Sequence, residues 1–124
     1  MDFLEQYDKE GKKISPKLPP GMKNYLIDID GTICEDIPNE EPERMKTAQM
    51  LSGSLEKVNS LFEEGNIITF FTSRTEAHRQ YTEEWLAQHG FKYHGIIFGK
   101  PRGGSYVWVD DREIEAVKVT DGFK

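Results

Sequence analysis

The chain has 124 residues, enough for one domain with its own core and too few for two. It is polar for a globular protein, 36% apolar and 31% charged, yet an aromatic share of 11% argues against wholesale disorder. A net charge of −6 argues against a broad nucleic-acid or anionic-membrane surface, which needs clustered Lys and Arg.

The single cysteine, Cys34, excludes an internal disulfide framework and suits a reducing compartment. Its expected role is a small, half-buried hydrophobe. No apolar run approaches the ~20 residues of a membrane span, and no leader pattern is visible. The expectation is a cytoplasmic protein that does not engage a membrane.

Residues 1–23 read as an arm before a single domain over 24–124. Lysines, prolines and glycines alternate there with isolated Phe3, Leu4 and Tyr7, and Pro19-Pro20-Gly21 continues neither a helix nor a central strand. Residues 2–8 suit a short helical turn.

Tyr25-Leu26-Ile27-Asp28-Ile29-Asp30-Gly31-Thr32 follows, with the apolar bulk of a strand covered on both faces. Residues two apart on a strand share a side and sit roughly 6.6 Å apart along it. Asp28 and Asp30 therefore face one way at the carboxyl end, where open α/β sheets hold ligands. Two carboxylates roughly 5 Å apart repel by about 3 kcal/mol at an effective dielectric near 20. Such a pair needs a cation, a shared proton, or both.

Residues 33–41 are acidic and irregular. From Pro42 to Glu64, Met45, Ala48, Leu51, Leu55, Val58, Leu61 and Phe62 recur at helical spacing. Ser52-Gly53-Ser54 interrupts that stripe, so the helix kinks there or begins afresh at Ser54. Residues 66–72 form a second strand. Thr75 then caps a helix to His89, with Ala77, Tyr81, Trp85 and Leu86 inward and Gly90 closing it. Ile96-Ile97-Phe98 is a third strand and Tyr106-Val107-Trp108-Val109 a fourth, and 113–119 reads as a short helix or an edge strand. Continuous apolar strands with connections long enough to cross over predict a small α/β domain on a parallel sheet.

Each strand is followed by chemistry: Asp28 and Asp30; Thr72, Ser73 and Arg74; Lys100 in a Gly-Lys-Pro-Arg-Gly-Gly loop; then Asp110, Asp111 and Arg112. On a parallel sheet these converge on one rim. Carboxylates, a hydroxyl, a lysine and glycine amides are the parts of a Mg²⁺-dependent phosphoryl site. His78, His89 and His94 are expected on the surface or at an interface.

Asp28-Ile-Asp-Gly-Thr32, Phe70-Phe-Thr72-Ser-Arg74, Gly99-Lys100-Pro101 and Val107-Trp-Val-Asp110-Asp111 resemble the four ordered motifs of the haloacid dehalogenase (HAD) superfamily, in its phosphatase branch. The match spans roughly residues 24–115. It implies a three-layer, Rossmann-like parallel sheet and Mg²⁺ as cofactor. Asp28 would be the nucleophile, and Asp30 the general acid and then base, its backbone carbonyl joining the metal shell. Thr72, Ser73 and Gly31 would hold phosphoryl oxygens, Lys100 would orient Asp28, and Asp110 and Asp111 would complete the metal shell. One of Arg74, Arg102 and Arg112 would clamp the anionic part of the substrate.

The gaps between motifs have no room for a lid domain, so the chain resembles capless members. Its details are similar to small phosphatases of capsular or surface polysaccharide synthesis, with a phosphorylated sugar or similar small metabolite as substrate. The 3′-phosphatase half of polynucleotide kinases is also similar, although the acidic charge counts against a nucleic-acid substrate. A binding module that keeps the Mg²⁺ and phosphate site without turnover is the rival from another class. An open rim admits water, so the resemblance also implies either a homo-oligomer whose neighbour covers the site or a large substrate, with the arm and residues 33–50 as candidate substitute lids.

Overall fold

The computed structural model describes residues 6–124. Its first elements are two short antiparallel strands, β1 (Gln6–Tyr7) and β2 (Lys13–Ile14). Asp8 shapes the turn between them: its Oδ1 accepts from Glu10 N at 3.0 Å and Lys12 N at 2.9 Å. The helical turn expected over 2–8 falls partly outside the described residues, and 6–7 are extended. An Asp that bonds nearby backbone amides favours a turn over a helix.

The domain is organised on three parallel strands, β3 (Asn24–Ile27), β4 (Ile67–Phe71) and β5 (Gly95–Ile97), in the order β3-β4-β5. β4 is central, and its Ile68 and Phe70 are completely buried. Phe70 meets Phe91 edge-on at 6.1 Å and Tyr93 at 5.4 Å. The small α/β architecture on a parallel sheet, with no cap domain, is as expected.

The long apolar stripe after the first motif is two pieces. A 3₁₀ helix runs over Pro42–Thr47, and α1 spans Ser54–Glu63. The chain restarts because Gly53 takes a left-handed conformation at φ 85°, open to glycine at little cost. The Ser54 hydroxyl bonds back to Leu51 O at 2.7 Å and Ile33 O at 3.1 Å. Val58 and Leu61 carry α1 into the core.

The second helix begins as a 3₁₀ turn (Glu76–His78) and continues as α2 (Arg79–His89). Thr75 caps it as expected, reciprocally with His78, whose Nδ1 lies 3.1 Å from Thr75 N. His78 is therefore buried, not on the surface, while Ala77, expected inward, is exposed. Trp85 is the main anchor of α2. Its indole Nε1 donates to Ala48 O at 2.8 Å, and its ring stacks on His89 at 4.1 Å and Phe91 at 5.5 Å.

Beyond β5 the expected fourth strand does not form. Tyr106, Val107, Trp108 and Val109 are 62%, 83%, 54% and 89% exposed, and 113–119 are irregular. Gly103 and Gly104, just before this run, both take positive φ. The C-terminus comes back to the core: Phe123 N donates to Thr32 O at 2.9 Å, and Phe123 packs on the core cluster. Gly122 permits this approach, since a Cβ there would lie 3.2 Å from Leu51.

Candidate active site

β3 ends at Ile27, so Asp28 leaves the strand and Asp30 lies in a tight turn behind it. Ile29 O accepts the amides of Thr32 at 3.0 Å and Ile33 at 2.9 Å. This turn buries Ile29 and Ile33 completely and leaves both carboxylates on the wall of one pocket. The pocket is about 300 Å³, open to solvent, and lined by Asp28, Asp30, Asp36, Ser73, Lys100, Arg102, Gly103 and Tyr106.

The repulsion expected between the two carboxylates is met by two different cations. Lys100 Nζ donates to Asp28 Oδ1 at 2.8 Å, and Thr32 Oγ1 donates to Asp28 Oδ2 at 3.1 Å. Arg74 forks onto Asp30, with Nε on Oδ2 at 3.0 Å and NH2 on Oδ1 at 2.8 Å. Charge-assisted, bidentate bonds of this kind are the strong ones.

Backbone bonds deliver Lys100 to the pocket. Lys100 N donates to Thr72 O at 2.9 Å, and Gly99 N donates to Arg74 O at 2.8 Å. The loop after β5 is thus tied to the loop after β4. Tyr106 walls the same side, with its ring 5.3 Å from Lys100 Nζ and its hydroxyl donating to Pro101 O at 2.8 Å. Asn39 Nδ2 donates to Ser73 O at 3.0 Å, which ties the acidic loop to the loop after β4, and Asp36 of that acidic loop also lines the pocket.

Asp28, Asp30, Ser73 and Lys100, predicted from sequence, come together here. Other predicted residues are placed differently. Thr72 lies a layer behind the wall, completely buried, with its hydroxyl accepting from Arg74 N at 3.1 Å. Gly31 has its amide on Cys34 O at 2.9 Å, so that donor already has an acceptor within its own turn. Arg74 is 1% exposed and turned onto Asp30, away from the position of a substrate clamp.

Asp110 and Asp111 do not reach the pocket either, because the strand meant to carry them is not formed. Asp110 instead accepts from Arg112 N at 3.0 Å and Trp108 Nε1 at 3.3 Å, and these bonds hold its carboxyl below the usual range. Among the described residues, no three His, Cys, Asp or Glu side chains cluster as a metal site. The donor chemistry of the pocket still suits Mg²⁺: hard carboxylate oxygens in an open, polar cleft. That ion is usually held by one or two carboxylates, with waters and substrate phosphate supplying the rest.

Sequence reasoning gave no role to Thr32, Asp36, Asn39 or Tyr106. Thr32 was visible as the end of the first motif. Nothing local marked the other three.

The fold has parallels among known proteins. A crystal structure of a structural-genomics target from Vibrio cholerae superposes with a TM-score of 0.55 at 23% identity, covering 75% of this chain and 83% of that one. A chain of a Pnkp1/Rnl/Hen1 complex superposes equally, TM-score 0.55 at 19% identity, covering 75% of this chain and 38% of that one. At these identities the likeness is one of fold. No curated protein matches the sequence. A family model described as "PITM 1-3, LNS2 domain" matches residues 25–107, a span that holds the Asp28 turn, the Arg74 loop and Lys100. The chain therefore belongs to the LNS2-domain family of PITM 1-3, within the HAD-like superfamily.

Proposed function

We propose that the protein is a phosphomonoester hydrolase that works through an aspartyl-phosphate on Asp28, with Mg²⁺ as cofactor and a phosphorylated sugar or similar small metabolite as substrate. The observation that carries this reading is the Asp28–Lys100 contact at 2.8 Å on the wall of an open pocket. A carboxylate held by an ammonium and a hydroxyl keeps a defined orientation while free lone pairs remain for attack.

In the first half-reaction, an Asp28 oxygen bonds to phosphorus as the bond to the leaving oxygen breaks. A proton on Asp30 passes to that oxygen. In the second, Asp30 takes a proton from water as the water attacks phosphorus and releases Asp28. Ser73, Lys100 and Arg102 line the pocket and suit the phosphoryl oxygens. Asp28 and Asp36, with the backbone carbonyl of Asp30, would hold Mg²⁺, which supplies charge neutralisation on the transferring group. At about 300 Å³ the pocket is at the small end of ligand sites, which favours a small substrate.

The test is release of p-nitrophenol from p-nitrophenyl phosphate, with Mg²⁺ and with excess chelator. Expected is Mg²⁺-dependent turnover that Asp28→Asn reduces to background. Equal rates in the variant would remove Asp28 as nucleophile, and phosphate binding without any turnover would favour a non-catalytic module.

A further inference from the structure

Arg74 has a structural assignment that its place beside a phosphate pocket conceals. At 1% exposure its guanidinium must be satisfied internally. Two of its nitrogens fork onto Asp30, and the third, NH1, donates to Thr82 Oγ1 at 3.0 Å. The Thr82 hydroxyl in turn donates to His78 O at 2.9 Å. Its hydrogen is committed to that carbonyl, so a lone pair faces the arginine. A chain of oriented bonds runs from the first turn of α2 through Thr82 and Arg74 to the Asp30 carboxylate.

Asp30 needs such support. It follows the end of β3 and sits in a turn, and the final torsion of an Asp side chain is broad and two-fold. A planar fork selects one orientation of the carboxylate, which a lysine's point charge does not. Two guanidinium bonds occupy two of its roughly four lone-pair positions and leave the others for the pocket. We infer that Arg74 is a positioning residue for Asp30, anchored by Thr82, and that it takes no part in binding the substrate phosphate. This rests on the phosphatase reading above, because the reaction that Asp30 serves is the one proposed there.

The consequence is selective. If the proton goes from Asp30 to the leaving oxygen as the P–O bond breaks, a misaligned Asp30 matters most when the leaving group is basic. p-Nitrophenolate departs without a proton at neutral pH, whereas phenolate needs one. The experiment compares p-nitrophenyl phosphate with phenyl phosphate on the full chain with Mg²⁺, for Thr82→Val, Thr82→Ser and Arg74→Lys, with folding checked by circular dichroism.

Expected for Thr82→Val is a kcat loss of roughly tenfold on phenyl phosphate and under about threefold on p-nitrophenyl phosphate, with KM unchanged. Thr82→Ser keeps the hydroxyl and restores the rate; Arg74→Lys keeps the charge and does not. If Arg74→Lys fails to fold, Thr82→Val and Thr82→Ser decide alone. Equal losses on both esters, or a rise in KM on both, overturn the positioning role while leaving the phosphatase reading intact. A wild-type chain that hydrolyses neither ester overturns that reading and this inference together.

Discussion

Lys100 Nζ and Asp28 Oδ1 meet at 2.8 Å across 72 residues of sequence, and the Lys100 side chain is only 12% exposed there. The ammonium is held by the ties of its loop to Thr72 and Arg74. An oriented cation whose own side chain is largely shielded contributes more than the same charge free in water. Lys100→Met preserves most of the stem and removes the charge. It should lower kcat on p-nitrophenyl phosphate by roughly 10²-fold, the scale of losing one preorganised charge-stabilising group. Steady-state kinetics check this, and a loss under threefold would detach Lys100 from the chemistry. The thermal midpoint should move little, because Asp28 is 37% exposed and water can replace the ammonium.

Cys34 is completely buried, more so than its sequence suggested, with Sγ 3.8 Å from Asp30 Oδ1. Burial first, and then the Asp30 carboxylate, push its thiol up to about 12. The folded protein should therefore not react with Ellman's reagent at pH 8, while the urea-unfolded chain reacts within the mixing time. A thiol whose folded value lies above the ordinary 9.0 contributes stability that is complete below that pH. The contribution is lost as pH climbs toward 12, because the unfolded chain releases its proton first. Rapid labelling of the native protein would contradict the burial.

Trp85 joins α2 to the segment before α1 through one bond, Nε1 to Ala48 O at 2.8 Å, with Ala48 itself 4% exposed. Trp85→Phe leaves that carbonyl unpaired and a small void beside His89 and Phe91. The expected cost is about 2–4 kcal/mol, read as a lower urea midpoint at unchanged slope. A change below about 0.5 kcal/mol would show that the bond is replaced by water or that the region collapses around the smaller ring.

What could be read from sequence was what local pattern encodes. The apolar runs at 25–27, 67–71 and 96–98 were legible as the three parallel strands, and the 3.6-residue spacing of Tyr81, Trp85 and Leu86 as α2. The break at Gly53 was visible because Gly is costly inside a helix and Ser favours the start of one; the left-handed turn that makes it is seen only in the folded chain. The turn after β3 was legible as the place for two carboxylates, because Gly31 ends the run just behind them. The sequence could also state the problem those carboxylates pose, since repulsion depends only on charge and spacing.

Its solution was a matter of reach and packing. Lys100 was expected on Asp28, where it lies, but Arg74, Arg102 and Arg112 were equivalent cations on paper. Only the folded chain turns Arg74 inward to Thr82 and Asp30 and leaves Arg102 at the pocket. The run Tyr106–Val109 has strand composition, but pairing with a sheet edge needs a partner at the right register, and no local pattern encodes that. The sequence by itself determined which residue types would follow each strand. Which of them touch was decided by tertiary structure, because side chains separated by 44 or 72 residues meet only when the sheet, its loops and α2 are packed together.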